Sequence, residues 1–227
     1  MKVFFFLSLL VLSFQNIKAS EAIGLYSSGK LRNAENILDK NILLHKLFMA
    51  RQKFFTTRQM VDVIEDTSAF VRQTFPDSEL IQLGDLSNKD GGKCPGHASH
   101  QNGLDADLVY LTHNKKLQSP NATYWEEDFV KNGVVSANLH VEKNFELFKY
   151  LVHNHPVTRI FVDQAIKKKM CQFAKSKKLL NDKETIETLR RLRVEKLHST
   201  HYHVRLQCPS EDTACVNQAE VPNGSGC

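Results

Sequence analysis

No Cys-x-x-Cys pair occurs anywhere in the 227 residues, which argues against the closed cysteine frameworks of structural zinc. Beyond the first nineteen residues no apolar run is long enough to cross a bilayer, so no membrane span is expected in the rest. Aromatic and basic residues do not alternate, and the lysine clusters at 167–169 and 175–178 read as solvated helix faces, so no nucleic-acid partner is expected. Internal repeats, linkers and low-complexity tracts are missing, as is a regular strand–helix–strand alternation. Together these absences leave a single α+β domain over residues 20–227, with a small antiparallel sheet and flanking helices.

Residues 1–19 read as a signal peptide. Lys2 supplies the positive start, residues 3–14 form an apolar run, and Ile17-Lys18-Ala19 offers a cleavage site. A soluble protein in the periplasm or secreted medium is the expectation. Losing Lys2 and Lys18 leaves 28 basic against 25 acidic residues, lowering the net charge from +5 to +3, too little to identify a partner. Five cysteines behind such a leader imply an oxidising compartment. Cys171, Cys208, Cys215 and Cys227 lie late and allow three pairings, among which spacing does not choose. Cys94 is the odd one, a free thiol or a link between two chains.

Thr56-Thr57-Arg58-Gln59 reads as a capping box, followed by apolar residues at helical spacing until Pro76. Residues 80–83 and 104–111 read as strands, and 120–133 as a loop with one tight turn. A helix should end before Pro156, and residues 157–162 form a β-branched strand. Asp163 then caps a helix with Ile166, Met170 and Ala174 inward. Another helix is expected over 185–193. At 202–206, Tyr202, Val204 and Leu206 alternate with His203 and Arg205, so His201, His203 and Arg205 should project from one face of a strand. The tail from Pro209 is loose unless stapled.

Two clusters carry the chemistry. The first runs from Gly96 to Asp107 and contains His97, His100, Gly103, Asp105 and Asp107; the second contains His198, His201 and His203. His100, Asp107 and His203 form a set of two imidazoles and one carboxylate, the kind that binds a catalytic zinc while leaving one position open. His201, beside a ligand on the same face, is the candidate base, and His198 a proton donor or oxyanion partner. Arg205 is a candidate for holding a substrate carboxylate. Asp105 reads as a turn or strand-edge acid, and the remaining five histidines as surface or core residues. A neutral histidine base implies that activity falls as pH drops through about 6.5.

At these residues the chain resembles the lysostaphin/D-Ala-D-Ala peptidase/hedgehog superfamily, and within it the penicillin-insensitive murein endopeptidase family. The motifs are Gly84-Asp85-Leu86-Ser87, the segment from Gly96 to Asp107, Val157-Thr158-Arg159-Ile160-Phe161-Val162, and His203-Val204-Arg205-Leu206-Gln207-Cys208-Pro209, in the family's order. The resemblance implies a hedgehog/D,D-peptidase-like fold, zinc on His100, Asp107 and His203, and catalytic roles for His201 and His198. It also implies hydrolysis of the D-alanine–diaminopimelate cross-link of peptidoglycan, and the disulfides Cys208–Cys215 and Cys171–Cys227. Some members carry a second metal on an aspartate and a histidine. The matching stretch Lys131-Asn132-Gly133-Val134-Val135-Ser136 has neither, so one zinc is expected and the family's extra metal role for His97 is the weaker assignment. Two alternatives stand beside this reading. A D,D-carboxypeptidase or dipeptidase would usually carry Glu where Thr200 stands; a zinc or cell-wall module would bind without turnover.

Overall fold

A computed structural model describes residues 19–227, so the expected leader lies outside the described residues except for Ala19. The described chain opens with a hairpin of β1 (Glu21–Leu25) and β2 (Ser28–Arg32). Short strands β3 (Glu35–Asn36), β4 (His45–Lys46) and β5 (Phe55–Thr56) lead to α1 (Arg58–Thr74). The cap of α1 is Thr57, one residue later than the sequence suggested; its hydroxyl accepts the Met60 N–H at 3.3 Å. Thr56 is unavailable because it belongs to β5 and its hydroxyl donates to the Gly103 carbonyl at 2.8 Å.

β6 (Gln82–Leu83) and β7 (Asp105–Leu108) are shorter than the runs their apolar residues suggested. The tight turn near residue 133 is a hairpin of β8 (Val130–Lys131) and β9 (Val134–Val135). Its corner is Asn132-Gly133, both with positive φ, a pair suited to a two-residue hairpin turn. α2 (Val141–Asn154) stops ahead of Pro156, and β10 (Val157–Val162) follows. Asp163 caps α3 (Gln164–Ser176) by accepting the Ala165 N–H at 2.7 Å, with Ile166, Met170 and Ala174 buried as expected. α4 (Lys183–Arg191) yields its last expected residues to β11 (Leu192–Val194), and β12 (Tyr202–Leu206) closes the sheet.

The main sheet has the order β11-β10-β12-β7-β6-β4. It is mixed, not the antiparallel sheet expected. α3 and α4 carry the chain back so that β11 runs parallel to β10, and β4 likewise runs parallel to β6 across α1. The three central strands are antiparallel, with β12 between β10 and β7. Tyr202, Val204 and Leu206 join the core on one face, where Tyr202 meets Phe148 of α2 edge-on at 5.0 Å. The other face of β12 and β7 is lined with charge.

Both disulfides implied by the resemblance are present, Cys208–Cys215 and Cys171–Cys227, and they hold the tail against the domain. Cys94 is a free thiol buried at 1% exposure, so it is not placed to join two chains. Among the described residues, no helix is long and apolar enough to cross a membrane.

Candidate active site

The register of two strands builds the site. Across the β7–β12 ladder, His203 stands opposite Asp107 and Arg205 opposite Asp105. With a side-chain period of two, all four project from the same face. Below them, Gly84 donates its N–H to the Asp107 carbonyl at 2.8 Å, and Asp107 donates its own to the Asp85 carbonyl at 3.1 Å. His100 arrives from the loop before β7 with φ of +63°, a conformation uncommon for a residue with a side chain. Asp105 holds it there by accepting the His100 N–H at 2.9 Å. Gly103, with φ of +79°, provides the turn into the strand.

Four imidazoles converge on one carboxylate. His100 Nε2 lies 3.2 Å, His203 Nδ1 3.5 Å and His201 Nε2 3.6 Å from Asp107 Oδ1. His97 Nδ1 lies 3.7 Å from Asp107 Oδ2. One potential ligand atom each from His97, His100 and Asp107 fall within 4.8 Å of one another. The structure therefore draws in His97, the residue for which the sequence made the weaker case. His203 meets the same carboxylate through Oδ1.

Second carboxylates set which nitrogen of two rings is free. His203 Nε2 lies 2.8 Å from Asp105 Oδ1, and His97 Nε2 lies 2.9 Å from Asp85 Oδ2. Donation of these N–H groups leaves both Nδ1 lone pairs directed toward Asp107, the arrangement by which outer carboxylates orient metal-binding histidines. Asp107 Oδ2 is buried without a hydrogen-bond partner. An ionised oxygen so placed, among imidazole lone pairs, fits a cation. Nitrogen and carboxylate donors in this number suit zinc.

The electrostatics agree. Burial opposes ionisation of Asp107, but His100 and His201 hold its carboxyl well below the usual carboxylate range. Burial likewise opposes Asp105, and Arg205 with His203 overcomes it. Burial depresses His201 to about 3 and His203 to about 4, against the pull of Asp107 and Asp105. His100 goes the other way: burial lowers it, but Asp107 and Asp105 together raise it.

Asp105 was expected to be an edge acid; it is fully buried and serves as the hub of the site. Arg205, considered for a substrate carboxylate, is engaged within the protein. Its Nε donates to Asp105 Oδ1 at 2.8 Å and its Nη1 to Gln218 Oε1 at 2.8 Å, with the guanidinium stacked over Tyr26 at 4.3 Å. Asp85 also escaped the sequence reading, apart from its place in the Gly84-Asp85 motif. Arg51 donates to it at 2.8 Å, bracing it behind His97.

A groove of about 1100 Å³ opens over these residues, bordered by Trp125, Phe161, Lys196 and the nearly fully exposed Leu197. His198 and His201 line it with ring centroids 5.0 Å apart. His198 Nδ1 donates to the Lys196 carbonyl at 2.7 Å, which leaves Nε2 uncommitted. Thr200 Oγ1 lies 2.9 Å from His201 Nδ1 and steadies that ring.

The sequence pattern of the family described as penicillin-insensitive murein endopeptidase matches residues 22–227. The Haemophilus influenzae protein of that description is 32% identical over 210 residues, covering 90% of this chain and 70% of its own length. The Pectobacterium atrosepticum protein is 30% identical over 218 residues, covering 91% and 72%. The Escherichia coli K12 protein is 28% identical over 220 residues, covering 92% and 74%.

Proposed function

The chain belongs to the penicillin-insensitive murein endopeptidase family and is a peptidoglycan endopeptidase of a metallopeptidase family; we propose that it cuts the amide between D-alanine and diaminopimelate in peptide cross-links, using one zinc ion. His100, Asp107 and His203 would hold the ion, with His97 as a further ligand. The observation that carries this reading is the convergence of His97, His100 and His203 nitrogens at 3.2–3.7 Å on the Asp107 carboxylate, with Oδ2 otherwise unpartnered. Bound there, zinc supplies Lewis-acid polarisation of the scissile carbonyl and acidifies water.

The protein's own groups do the rest. His201, kept neutral by burial, accepts the proton of the attacking water at Nε2. His198, tethered through Nδ1, offers Nε2 to the departing amine or to the developing oxyanion. Asp105 and Asp85 fix the tautomers of His203 and His97, and Arg205 fixes Asp105. The same β7–β12 framework supports assigning the hedgehog/D,D-peptidase-like fold. Action on the wall supports a location outside the cytoplasm, which we read as periplasmic or secreted and reached through a leader at 1–19; two disulfides accord with that compartment.

The test is digestion of cross-linked muropeptides by the mature protein, read by mass spectrometry with metal analysis of the same sample. Dimers should become monomers with terminal alanine retained, by protein carrying about one zinc. Release of alanine alone would make the enzyme a carboxypeptidase, and zinc retention without turnover would make it a binding module; either result overturns the proposal.

A further inference from the structure

Trp125 is the chain's only tryptophan, and no motif of the site includes it. Its indole lies flat on the imidazole of His201, with centroids 4.4 Å apart and planes 12° from parallel. Phe48 meets the indole edge-on at 4.6 Å. The Arg51 guanidinium lies 3.7 Å from the Phe48 ring centre and donates to the Thr123 carbonyl, two residues before Trp125. Gly84 leaves the indole its space: a Cβ there would come within 2.5 Å of Trp125 Cη2 and 3.2 Å of the Asp107 Cβ. The indole is thus braced by Phe48 and by the loop that Arg51 ties down, and it fits against Gly84.

His201 has less support of its own. Its one hydrogen bond is to the hydroxyl of its neighbour Thr200. A single bond at Nδ1 fixes the ring at one point and does not by itself set its plane. A rigid aromatic plane against its face fixes the ring's orientation through stacking as well as burial. We propose that Trp125 is a positioning residue for the reaction: it fixes the His201 plane so that Nε2 stays 3.6 Å from Asp107 Oδ1, and it keeps water from the opposite face of the ring. The inference rests on the reading of His201 as the base. It adds that this base is oriented by a stack, where His203 and His97 are oriented by carboxylates.

Two measurements test it. In metal-free protein, tryptophan emission reports Trp125 alone, and His201→Ala should shift it to the red as the indole gains water. In the muropeptide assay, Trp125→Ala should lower kcat roughly 10- to 100-fold with a much smaller change in KM, the scale expected when a reacting group is misplaced. Trp125→Phe, which keeps a flat ring, should recover most of the rate; Trp125→Leu, which keeps bulk without a plane, should not. The Phe and Leu variants decide the matter if the alanine variant fails to fold. Equal rates for Phe and Leu, or a wild-type kcat for Ala, overturn the positioning role. Unchanged emission alongside an inactive His201→Ala overturns it and leaves the proposed function standing. Shifted emission with a fully active His201→Ala removes the base assignment, and the positioning role falls with it.

Discussion

Asp105 takes a 2.8 Å hydrogen bond from His203, a residue 98 positions away, through the same oxygen that receives Arg205. Asp105→Asn should separate its two duties. Without the carboxylate, His203 loses the partner that fixes its tautomer, and zinc affinity should fall roughly 10- to 100-fold. Arg205 is left with its charge buried, so the metal-free fold should lose roughly 3–5 kcal/mol, the cost of breaking a buried pair. Zinc titration and urea unfolding read the two effects independently. Unaltered affinity would show that Asp105 serves the fold alone.

Mutation should divide the histidines by role. Asp107→Ala and His100→Ala are expected to leave the purified protein without zinc and without activity. His201→Ala should keep the metal and lower kcat by roughly 10²–10⁴, the usual contribution of a positioned acid or base. Metal analysis beside the muropeptide assay makes the distinction. Loss of zinc in His201→Ala would move that residue into the ligand set.

The pH profile should depart from what an exposed histidine would give. In the proposed role His201 acts in its neutral form, which burial favours by lowering its pKa. Its acid limb should therefore lie below the ~6.5 of a free imidazole. Zinc content measured at each pH separates this limb from loss of metal to protons. Stability has its own sign. The unfolded chain protonates His201 and His203 below about 6.5, while the folded metal-free protein resists until about 3 and 4. These two contributions are complete above 6.5 and are lost as pH falls. His100, raised by its carboxylate neighbours, works in the opposite direction, one residue against two. The urea midpoint of metal-free protein should fall between pH 7 and 5; a constant or rising midpoint would contradict the burial of His201 and His203.

The disulfides should differ in what they protect. Cys171–Cys227 spans 56 residues and Cys208–Cys215 spans 7, so chain entropy assigns them about 4 and about 2.5 kcal/mol. The shorter bridge, however, adjoins the site. Cys208 donates its N–H to Asn217, and the next residue, Gln218, receives Arg205. Replacing Cys171 and Cys227 with serine should cost more stability, while replacing Cys208 and Cys215 should cost more activity. Urea unfolding and the muropeptide assay should rank the two variants in opposite orders. The same order in both would separate Gln218 from the site.

What could be read in advance was whatever has a period or a local partner. The alternation at 202–206 fixed which histidines face the cleft, and Asp163 announced its helix because a cap is a contact between near neighbours. Asp107 could be read as a ligand candidate, but the part Asp105 plays could not. Cross-strand register shows that part, by setting Asp105 opposite Arg205 and Asp107 opposite His203. His97 reads weakly in sequence because its partner Asp85 approaches from a different loop. Two-residue strands such as β4 and β6 have no pattern to detect, and the parallel edges of the sheet follow from how helices return the chain. Trp125 gave no signal at all, since a stack on a distant ring leaves no spacing behind.

The pairing of β7 with β12 also orders events in time. Synthesis delivers His97, His100 and Asp107 about a hundred residues before His203, so a half-made chain carries only part of the proposed ligand set. Residue order makes the cleft wait for its last strand: the face shared by Asp107 and His203 exists only once β12 lies in the sheet, and the bridge at Cys208 sits just beyond that strand.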